Sequence, residues 1–253
     1  MQKDDTRLIA SVDLPAAIGL LTRLPVKVDT DAAMARGAGS AWAYPLVGAM
    51  LGMAGAVVAT ICGALGLTPA LTAGLLLAFS IIITGAMHED GLADSADGLW
   101  GGWDKARRLE IMKDSRIGVY GVCAIGLTLL LRWAALTTIV ELGGYWAALI
   151  AVGATSRATM VVLMATMPNA RGTGLSKSVG QPGANTMWAA VGIAAIFAVI
   201  LGLPEILLIA AAVTLACGLI ARAKIGGQTG DILGGTQQIN EVILLAAVVV
   251  SIT

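Results

Sequence analysis

The chain has 253 residues, of which 57% are hydrophobic and only 13% are charged, and its mean hydropathy is +0.85. Soluble domains have about 45 to 50% apolar and about 25% charged residues, so this composition excludes a soluble protein and indicates an integral protein of the lipid bilayer. The formal net charge is zero. Because the chain lacks the basic excess that neutralises nucleic-acid phosphates, we expect no nucleic-acid partner.

Seven apolar runs predict an all-α, polytopic membrane bundle of about seven helices, since about 20 residues cross the hydrocarbon core. The runs cover residues 43–67, 69–87, 117–140, 145–167, 186–203, 205–221 and 241–253, of which the last is short for a full crossing. A further apolar segment, Leu8 to Leu24, is interrupted by Asp13 and Pro15, so we expect it to lie in the membrane interface. We therefore interpret the chain as one membrane-embedded domain, with an N-terminal segment at 1–42 and the bundle at 43–253.

The lysines and arginines predict how this bundle is oriented. Five precede the first predicted membrane helix, beginning with Lys3 and Arg7, and five lie within 88–116. Two more lie in each of 168–185 and 222–240, whereas the short connections between the other helices contain none. Cytoplasmic loops of membrane proteins are enriched in these residues, so we expect the N-terminus and the three polar loops on the cytoplasmic side.

Two arginines, Arg132 and Arg157, fall within predicted membrane helices. An ionisable side chain at that depth costs at least about 2.5 kcal/mol unless it pairs, reaches the interface or faces a wet cavity. Arg132 is compatible with a structural or a functional role. Arg157 lies mid-helix among small polar residues in ATSRATM, and we take it as a candidate catalytic residue.

The longest polar interruption begins with MHEDGLADSADGLWG, and 7 of the 16 acidic residues lie between Glu89 and Asp114. Asp90, Asp94 and Asp97 follow the spacing i, i+4, i+7, which places three carboxylates on one face of a helix. Like charges at this spacing destabilise a helix, whereas a bound divalent cation converts the repulsion into ligation. Oxygen ligands suit Mg²⁺, which we predict as a cofactor. Its candidate ligands are Glu89, Asp90, Asp94 and Asp97.

A solvated acidic helix face is the alternative interpretation of this stretch, with Lys105, Arg107 and Arg108 as its counter-ions. The acids are interleaved, however, with glycine, alanine and serine rather than with lysine and glutamate. Small residues let a ligand approach the backbone, so we favour a binding site and take Asp94 as a candidate catalytic residue as well.

His88, the one histidine of the chain, directly precedes Glu89 and Asp90. A lone histidine usually has a structural role. Next to an acidic cluster, a histidine is also suited to proton transfer or to substrate contact, so we include His88 among the candidate catalytic residues.

A second motif, RRLEIMKDSRIGVYG at 107–121, mixes acids and bases. Ordinary ion pairs along a helix are one interpretation. Beside a metal site, guanidinium and ammonium groups also suit phosphate oxygens. The candidate substrate- and phosphate-binding residues of this motif are Arg107, Lys113, Asp114 and Arg116.

Two further polar segments are rich in glycine and hydroxyl side chains. PNARGTGLSKSVGQPG, at 168–183, contains Arg171 and Lys177, which we add to the candidate phosphate-binding residues. RAKIGGQTGDILGGTQQINE, at 222–241, contains Asp231, a candidate catalytic carboxylate. Three such segments on one side of a membrane bundle predict a single site that combines metal ligands, anion contacts and a further carboxylate.

Six motifs of this chain occur in the same order in the cobalamin synthase family. EDGLADSADG (89–98) and RRLEIMKDSRIGVYG (107–121) are the most specific, and they are accompanied by TRLPV (22–26), YPLVGAMLG (44–52), MPNARGTGLSK (167–177) and GGQTGDILGG (226–235). From about Leu21 to Glu241, the chain thus resembles the adenosylcobinamide-GDP ribazoletransferases.

This resemblance implies that GDP-cobinamide is joined to α-ribazole or its 5′-phosphate at a bacterial cytoplasmic membrane, with Mg²⁺ as cofactor and GMP as the released product. Such a transfer demands little covalent chemistry from the protein, so positioning and electrostatic stabilisation should dominate. A homo-oligomer is compatible with the sequence.

Two other function classes are alternatives. CDP-alcohol phosphotransferases carry an aspartate-rich motif with the pattern D-G-x-x-A-R, but no arginine follows DGLA here, where Asp94 stands. In an ion-coupled transporter, we would expect acids at mid-membrane on broken helices, often in inverted repeats. The acids of this chain instead cluster in one polar segment, and its two halves show no repeat.

Overall fold

The computed structural model describes residues 8–253, and within this range the protein is helical, with one isolated parallel bridge between Asn169 and Gln228. In chain order, the helices are α1 (Asp13–Leu21), α2 (Thr30–Arg36), a 3-10 helix (Gly37–Ala43), α3 (Tyr44–Ala64), α4 (Pro69–Thr84), α5 (Met87–Gly101), α6 (Lys105–Ile111), α7 (Val119–Glu141), α8 (Tyr145–Thr166), α9 (Leu175–Val179), α10 (Ala184–Ile200), α11 (Glu205–Ile225) and α12 (Gly230–Ile252). The predicted all-α membrane bundle is confirmed. Lys3 and Arg7, which contributed to the predicted orientation, lie outside the described residues.

The seven predicted membrane runs correspond to α3, α4, α7, α8, α10, α11 and α12. By length and hydropathy, five segments are able to cross a membrane by themselves: Thr30–Ala64, α7, α8, α11 and α12. Helix α4 has 16 residues and meets the criterion only together with α5, from which it is bent by 88°. Helix α10 has 17 residues. Within residues 8–253 there are therefore seven apolar helices but five or six crossings by this criterion, compared with about seven predicted.

The last polar segment was wrongly predicted as a loop up to residue 240. Helix α11 continues to Ile225 and α12 begins at Gly230, so the connection shrinks to 226–229 and the last membrane helix has 23 residues. The reason is that the polar side chains of this segment are buried and bond to one another inside the bundle, as Gln238 does to Gln237 at 3.0 Å. Similarly, most of the predicted 88–116 loop is helical, in α5 and α6.

The predicted interfacial segment contains α1, which begins at the interrupting residue Asp13. Pro15 occupies the first turn, where a missing N–H leaves no helical hydrogen bond unmade. The buried Asp13 carboxylate accepts hydrogen bonds from Arg36 Nε and Trp42 Nε1, both at 2.7 Å. These bonds hold α1 against the start of the bundle.

Helices α3 and α8 make the tightest backbone contact of the apolar bundle. A Cβ atom at Gly48 would lie 2.0 Å from the Gly153 carbonyl oxygen, and one at Gly52 would lie 2.1 Å from that of Leu149. Neither position accepts a larger residue, and such small-residue contacts are typical of membrane helices, where close packing rather than hydrophobicity drives association. This contact fixes the part of α8 that carries Arg157.

Candidate active site

Helix α5, which carries the acidic motif, turns sharply away from α4. Gly85 and Ala86 both adopt the left-handed conformation, with φ values of 64° and 57°. Ala86 is the one non-glycine residue with positive φ within residues 8–253, and this conformation is costly for a residue with a Cβ atom. The two residues produce the 88° bend that sends the polar helix α5 across the apolar helices instead of continuing α4.

Glycines bring α5 into contact with the first turns of α12. A Cβ atom at Gly91 would lie 3.0 Å from the Asp231 carbonyl oxygen and 3.3 Å from Gly234 Cα. One at Gly235 would lie 3.4 Å from Leu92 Cα. Because the two backbones touch, Asp90, which is next to Gly91 on α5, belongs to the same site as Asp231 on α12.

Asp94 shows how close these carboxylates are. Burial, together with the negative charges of Asp231 and Asp90, raises the pKa of Asp94 to about 7. Arg171 acts in the opposite direction and lowers it. The prediction that separate polar segments contribute acids to one place is thus in accord with the geometry.

The connection before α12 is tied to the segment after α8. Ala170 N donates to Gln228 O at 2.8 Å, and Gln228 N donates to Pro168 O at 2.9 Å. A Cβ atom at Gly227 would lie 2.2 Å from the same Pro168 oxygen, so this pairing requires glycine. The pairing places Arg171 beside the first turn of α12, where its Nη1 is 2.8 Å from Asp231 Oδ2.

A cavity of about 180 Å³ lies at this junction. His88, Asp90, Arg171 and Asp231 contribute to its lining, as do several apolar residues of the bundle. Arg171 Nε and Nη2 and His88 Nε2 are buried and have no hydrogen-bond partner among the described residues. Buried polar atoms normally have partners, so these three are available to a ligand.

Two predicted metal ligands already have protein partners. Asp97 accepts hydrogen bonds from the backbone N–H groups of Gly118 and Gly121, at 2.7 and 2.9 Å, and thereby caps the start of α7. Glu89 lies on another side of α5 and pairs with Arg132 at 3.2 Å. Asp90 and Asp231 line the same cavity, and Asp94 lies one helical turn further along α5. The roles of all four acids of α5 as metal ligands stay predictions.

The predicted phosphate-binding residues of the second motif lie at the surface. Arg107 pairs with Glu110 at 2.8 Å, and Arg116 pairs with Asp114 at 2.7 Å, which lowers the pKa of that carboxyl group to about 2. Lys113 Nζ is 3.4 Å from Thr173 Oγ1, a residue that lines the cavity.

The last predicted phosphate-binding residue, Lys177, is exposed on α9. Of the predicted cations, Arg171 is thus the one that lines the cavity. Sequence reasoning did not single out four polar residues that line it, namely Asn169, Thr173, Ser176 and Thr229. They all belong to motifs quoted above, but nothing in their spacing distinguished them from ordinary loop residues.

No three His, Cys, Asp or Glu side chains within residues 8–253 are grouped closely enough to form a metal cage by themselves. Mg²⁺ is usually held by one or two carboxylates together with substrate phosphates and water. The carboxylates of Asp90 and Asp94 repel one another, and Arg171 has unpaired N–H groups. Their oxygen atoms therefore fit an ion of that kind better than a metal ion enclosed by protein alone.

Comparison with known proteins identifies the family of the chain. A profile of the family described as Cobalamin-5-phosphate synthase matches residues 13–249. The chain belongs to this family. It is 45% identical to the adenosylcobinamide-GDP ribazoletransferase of Bradyrhizobium diazoefficiens over 240 residues, which are 92% of this chain and 91% of that protein.

Other relatives in the cobalamin-5-phosphate synthase family cover the chain as fully. The proteins of the same name from Azorhizobium caulinodans and Brucella anthropi are 39% and 41% identical, over 97% and 95% of this chain and 97% of each relative. No solved structure matches the chain.

Apart from the cavity, the bundle contains a buried network of charged side chains. Arg132 is 2% exposed, and its guanidinium pairs with Glu89 and with Glu241 of α12. Arg157 Nη1 lies 3.7 Å from the other oxygen of Glu241. Two arginines and two glutamates thus neutralise each other inside the bundle.

Polar side chains complete this network. Arg132 also donates to Gln238 Oε1 at 2.9 Å and to Ser80 Oγ at 3.2 Å, and Gln237 donates to Glu241. Arg157 therefore lies with these residues rather than in the lining of the cavity, and its predicted catalytic role stays a prediction. Sequence reasoning missed Glu241 as a partner, because Glu241 stands at the border between a polar segment and the last apolar run.

We predict that Arg132→Met lowers the free energy of unfolding by about 3 to 5 kcal/mol, because Glu89 and Glu241 lose their shared partner and become uncompensated buried charges. The thermal unfolding midpoint of the purified protein in detergent measures this effect. Arg107→Met is the control, since its exposed pair contributes little. Equal midpoints for the two variants would contradict the stabilising role of the network.

Proposed function

We propose that the protein is an adenosylcobinamide-GDP ribazoletransferase, the activity named for its relatives. In this reaction, a hydroxyl group of α-ribazole, or of its 5′-phosphate, attacks the phosphorus that is bonded to cobinamide. The bond from that phosphorus to the GMP oxygen breaks, and GMP leaves. The observation that carries the proposal is the junction of α5 and α12, where Asp90, Asp94 and Asp231 face Arg171.

The residues of this junction have distinct tasks in the proposed reaction. Arg171 offers two buried N–H groups that suit phosphate oxygens. Asp231 lies beside it as a carboxylate that accepts the proton of the attacking hydroxyl group. His88 Nε2, buried and unpaired among the described residues, contacts the bound substrate or moves this proton onwards.

Mg²⁺ is part of the same proposal. Asp90 and Asp94 would hold the ion, at the edge of the site where their negative charges repel one another. Bound there, Mg²⁺ supplies positive charge that stabilises the developing negative charge on phosphate oxygens. Glu89 and Asp97 would support these ligands indirectly, since their hydrogen bonds to Arg132 and to α7 hold α5 in place.

The two alternative functions receive less support. The matched family and the names of the relatives favour neither a CDP-alcohol phosphotransferase nor a transporter. The buried acids that an ion pathway would use, Glu89 and Glu241, are paired with arginines. Paired charges of this kind are suited to holding helices together rather than to carrying a moving ion.

The decisive experiment measures GMP release by the purified protein. We predict GMP formation that depends on both GDP-cobinamide and α-ribazole or its 5′-phosphate, that stops with EDTA and that returns with Mg²⁺. Asp94→Asn should reduce turnover by roughly 100-fold or more, the scale of losing an electrostatic stabiliser.

Asp104→Asn is the matched control for that variant. Asp104 is an exposed acid that caps α6, and asparagine caps a helix equally well, so its turnover should equal that of the unmodified protein. If the wild-type protein consumes CDP-activated substrates instead, the proposed function is wrong. If the Asp94→Asn variant keeps full turnover, the role of this aspartate is wrong.

A second prediction concerns the shared site. Asp231→Asn should also reduce turnover by roughly 100-fold or more. The double variant with Asp94→Asn should be scarcely slower than either single variant, because groups that act as one unit are not additive. Steady-state turnover of the three variants tests this, and fully multiplicative losses would assign the two aspartates to independent tasks.

We further propose that the protein resides in the bacterial cytoplasmic membrane with this site facing the cytoplasm. The support is the distribution of lysine and arginine, which are concentrated in the polar segments next to the site. Both substrates would then reach the site from the cytoplasm.

Ser115→Cys and Ser178→Cys, each introduced into a variant lacking Cys62, Cys123 and Cys217, test this orientation. Both serines are exposed. We predict that a membrane-impermeant maleimide labels them in inverted vesicles but not in intact cells. Leu142→Cys, in the connection between α7 and α8, should show the opposite pattern, and labelling of Ser115→Cys or Ser178→Cys in intact cells would reverse the proposed orientation.

A further inference from the structure

We infer that the cavity between α5, α8 and α12 is the subsite for the ribazole nucleoside, with its base buried and its ribose at the carboxylates. The inference rests on the proposed function and goes further, because it assigns one of the two substrates to a particular place. A ribazole is a nucleoside with a benzimidazole base, an apolar aromatic bicycle.

The cavity has two chemically different sets of lining residues. The apolar set has nine residues, and those packed in the hydrophobic core include Leu21, Tyr44, Met87, Met160, Met164 and Leu233. The polar set comes from the segment after α8, from the start of α5 and from the first turn of α12. A ligand that fills this cavity therefore needs one apolar part and one part rich in hydrogen-bonding groups.

The apolar set selects the kind of base. Guanine carries several donors and acceptors, and burying them against methionine and leucine side chains without partners is costly. A benzimidazole ring has few hydrogen-bonding groups, so burying it in such surroundings costs little free energy. Three of the nine apolar side chains are methionines, whose flexible thioethers fit irregular shapes and make favourable contacts with aromatic rings.

The polar set suits the rest of the nucleoside. His88 is 1% exposed and lines the cavity with a buried Nε2 that has no partner among residues 8–253. Arg171 adds the buried Nε and Nη2, also unpaired in the described chain. Ribose hydroxyl groups bond to either side chain, and a 5′-phosphate bonds to the guanidinium. When the base lies among the methionines, the ribose thus lies next to Asp231.

Size separates the two substrates as well. The cavity measures about 180 Å³, which is below the range of about 300 to 1,000 Å³ that is usual for ligand pockets. It admits a small bicyclic base but not a corrin macrocycle. GDP-cobinamide must therefore approach the carboxylates from outside the cavity, so that the two substrates meet at Asp90, Asp94 and Asp231.

The test removes the two methionine sulfur atoms of α8 at nearly constant volume, in the double variant Met160→Leu/Met164→Leu. A contact between sulfur and an aromatic ring contributes about 0.3 to 1.5 kcal/mol. We therefore expect the KM for α-ribazole to rise about 3-fold or more, while kcat and the KM for GDP-cobinamide stay unchanged. Met167→Leu is the matched control, since Met167 is buried in the same core at the end of α8 but does not line this cavity.

Equilibrium dialysis of the unmodified protein gives an independent measurement that does not depend on how the variant folds. Labelled α-ribazole should bind without GDP-cobinamide, and excess guanosine should not displace it. A KM increase confined to GDP-cobinamide, equal increases for both substrates, unchanged KM values, or displacement by guanosine would each overturn the assignment. Failure of the unmodified protein to release GMP would instead refute the proposed function, so the two failures are distinguishable.

Discussion

The pairing of Arg132 with Glu89 and Glu241 is the interaction on which the site depends. It joins α5, α7 and α12 inside an apolar bundle, where unpaired charges would be severely unfavourable. Helix α5 carries too many polar residues to remain among apolar helices through hydrophobic contacts alone. With Glu89 held by Arg132 and by Gln238 of α12, the neighbouring face of α5 carries Asp90, and the glycine contact at Gly91 sets how closely α5 approaches Asp231.

The periodic features of this arrangement were predictable from the sequence. Hydropathy located all seven apolar helices, because their length and composition are imposed by the membrane rather than by particular contacts. Asp90, Asp94 and Asp97, whose spacing would place them on one face of a helix, do lie on the helix α5, although the segment as a whole was predicted as a polar loop. The segments that contain Arg171 and Asp231, which were expected to contribute to one site, meet in an ion pair of 2.8 Å.

The tertiary partners of individual side chains were not predictable in the same way. Asp97 shares its helical face with Asp94, yet both of its oxygens accept hydrogen bonds from the start of α7, which only the packing of α7 against α5 determines. Glu89 lies about 100° around the helix from Asp90. The sequence gives this angle, but it does not show that Arg132 lies on the side of Glu89. The polar start of α12 was mistaken for a loop because its amide side chains are buried and find partners both within α12 and on other helices, as Gln238 does with Gln237 and with Glu89.

The charge network also has a consequence for the way the protein is made. Glu89 and Arg132 are 43 residues apart in the chain, and Arg132 and Glu241 are 109 residues apart. Glu241 lies on α12, so the two arginines acquire this counter-ion only after α12 has been synthesised. Until then α5 has no complete set of partners in the bilayer. Final docking of the acidic helix is therefore expected to follow insertion of α12. A chain that lacks α12 would leave Arg157 without its glutamate and Arg132 with Glu89 alone, a defect that quality control in the membrane could recognise.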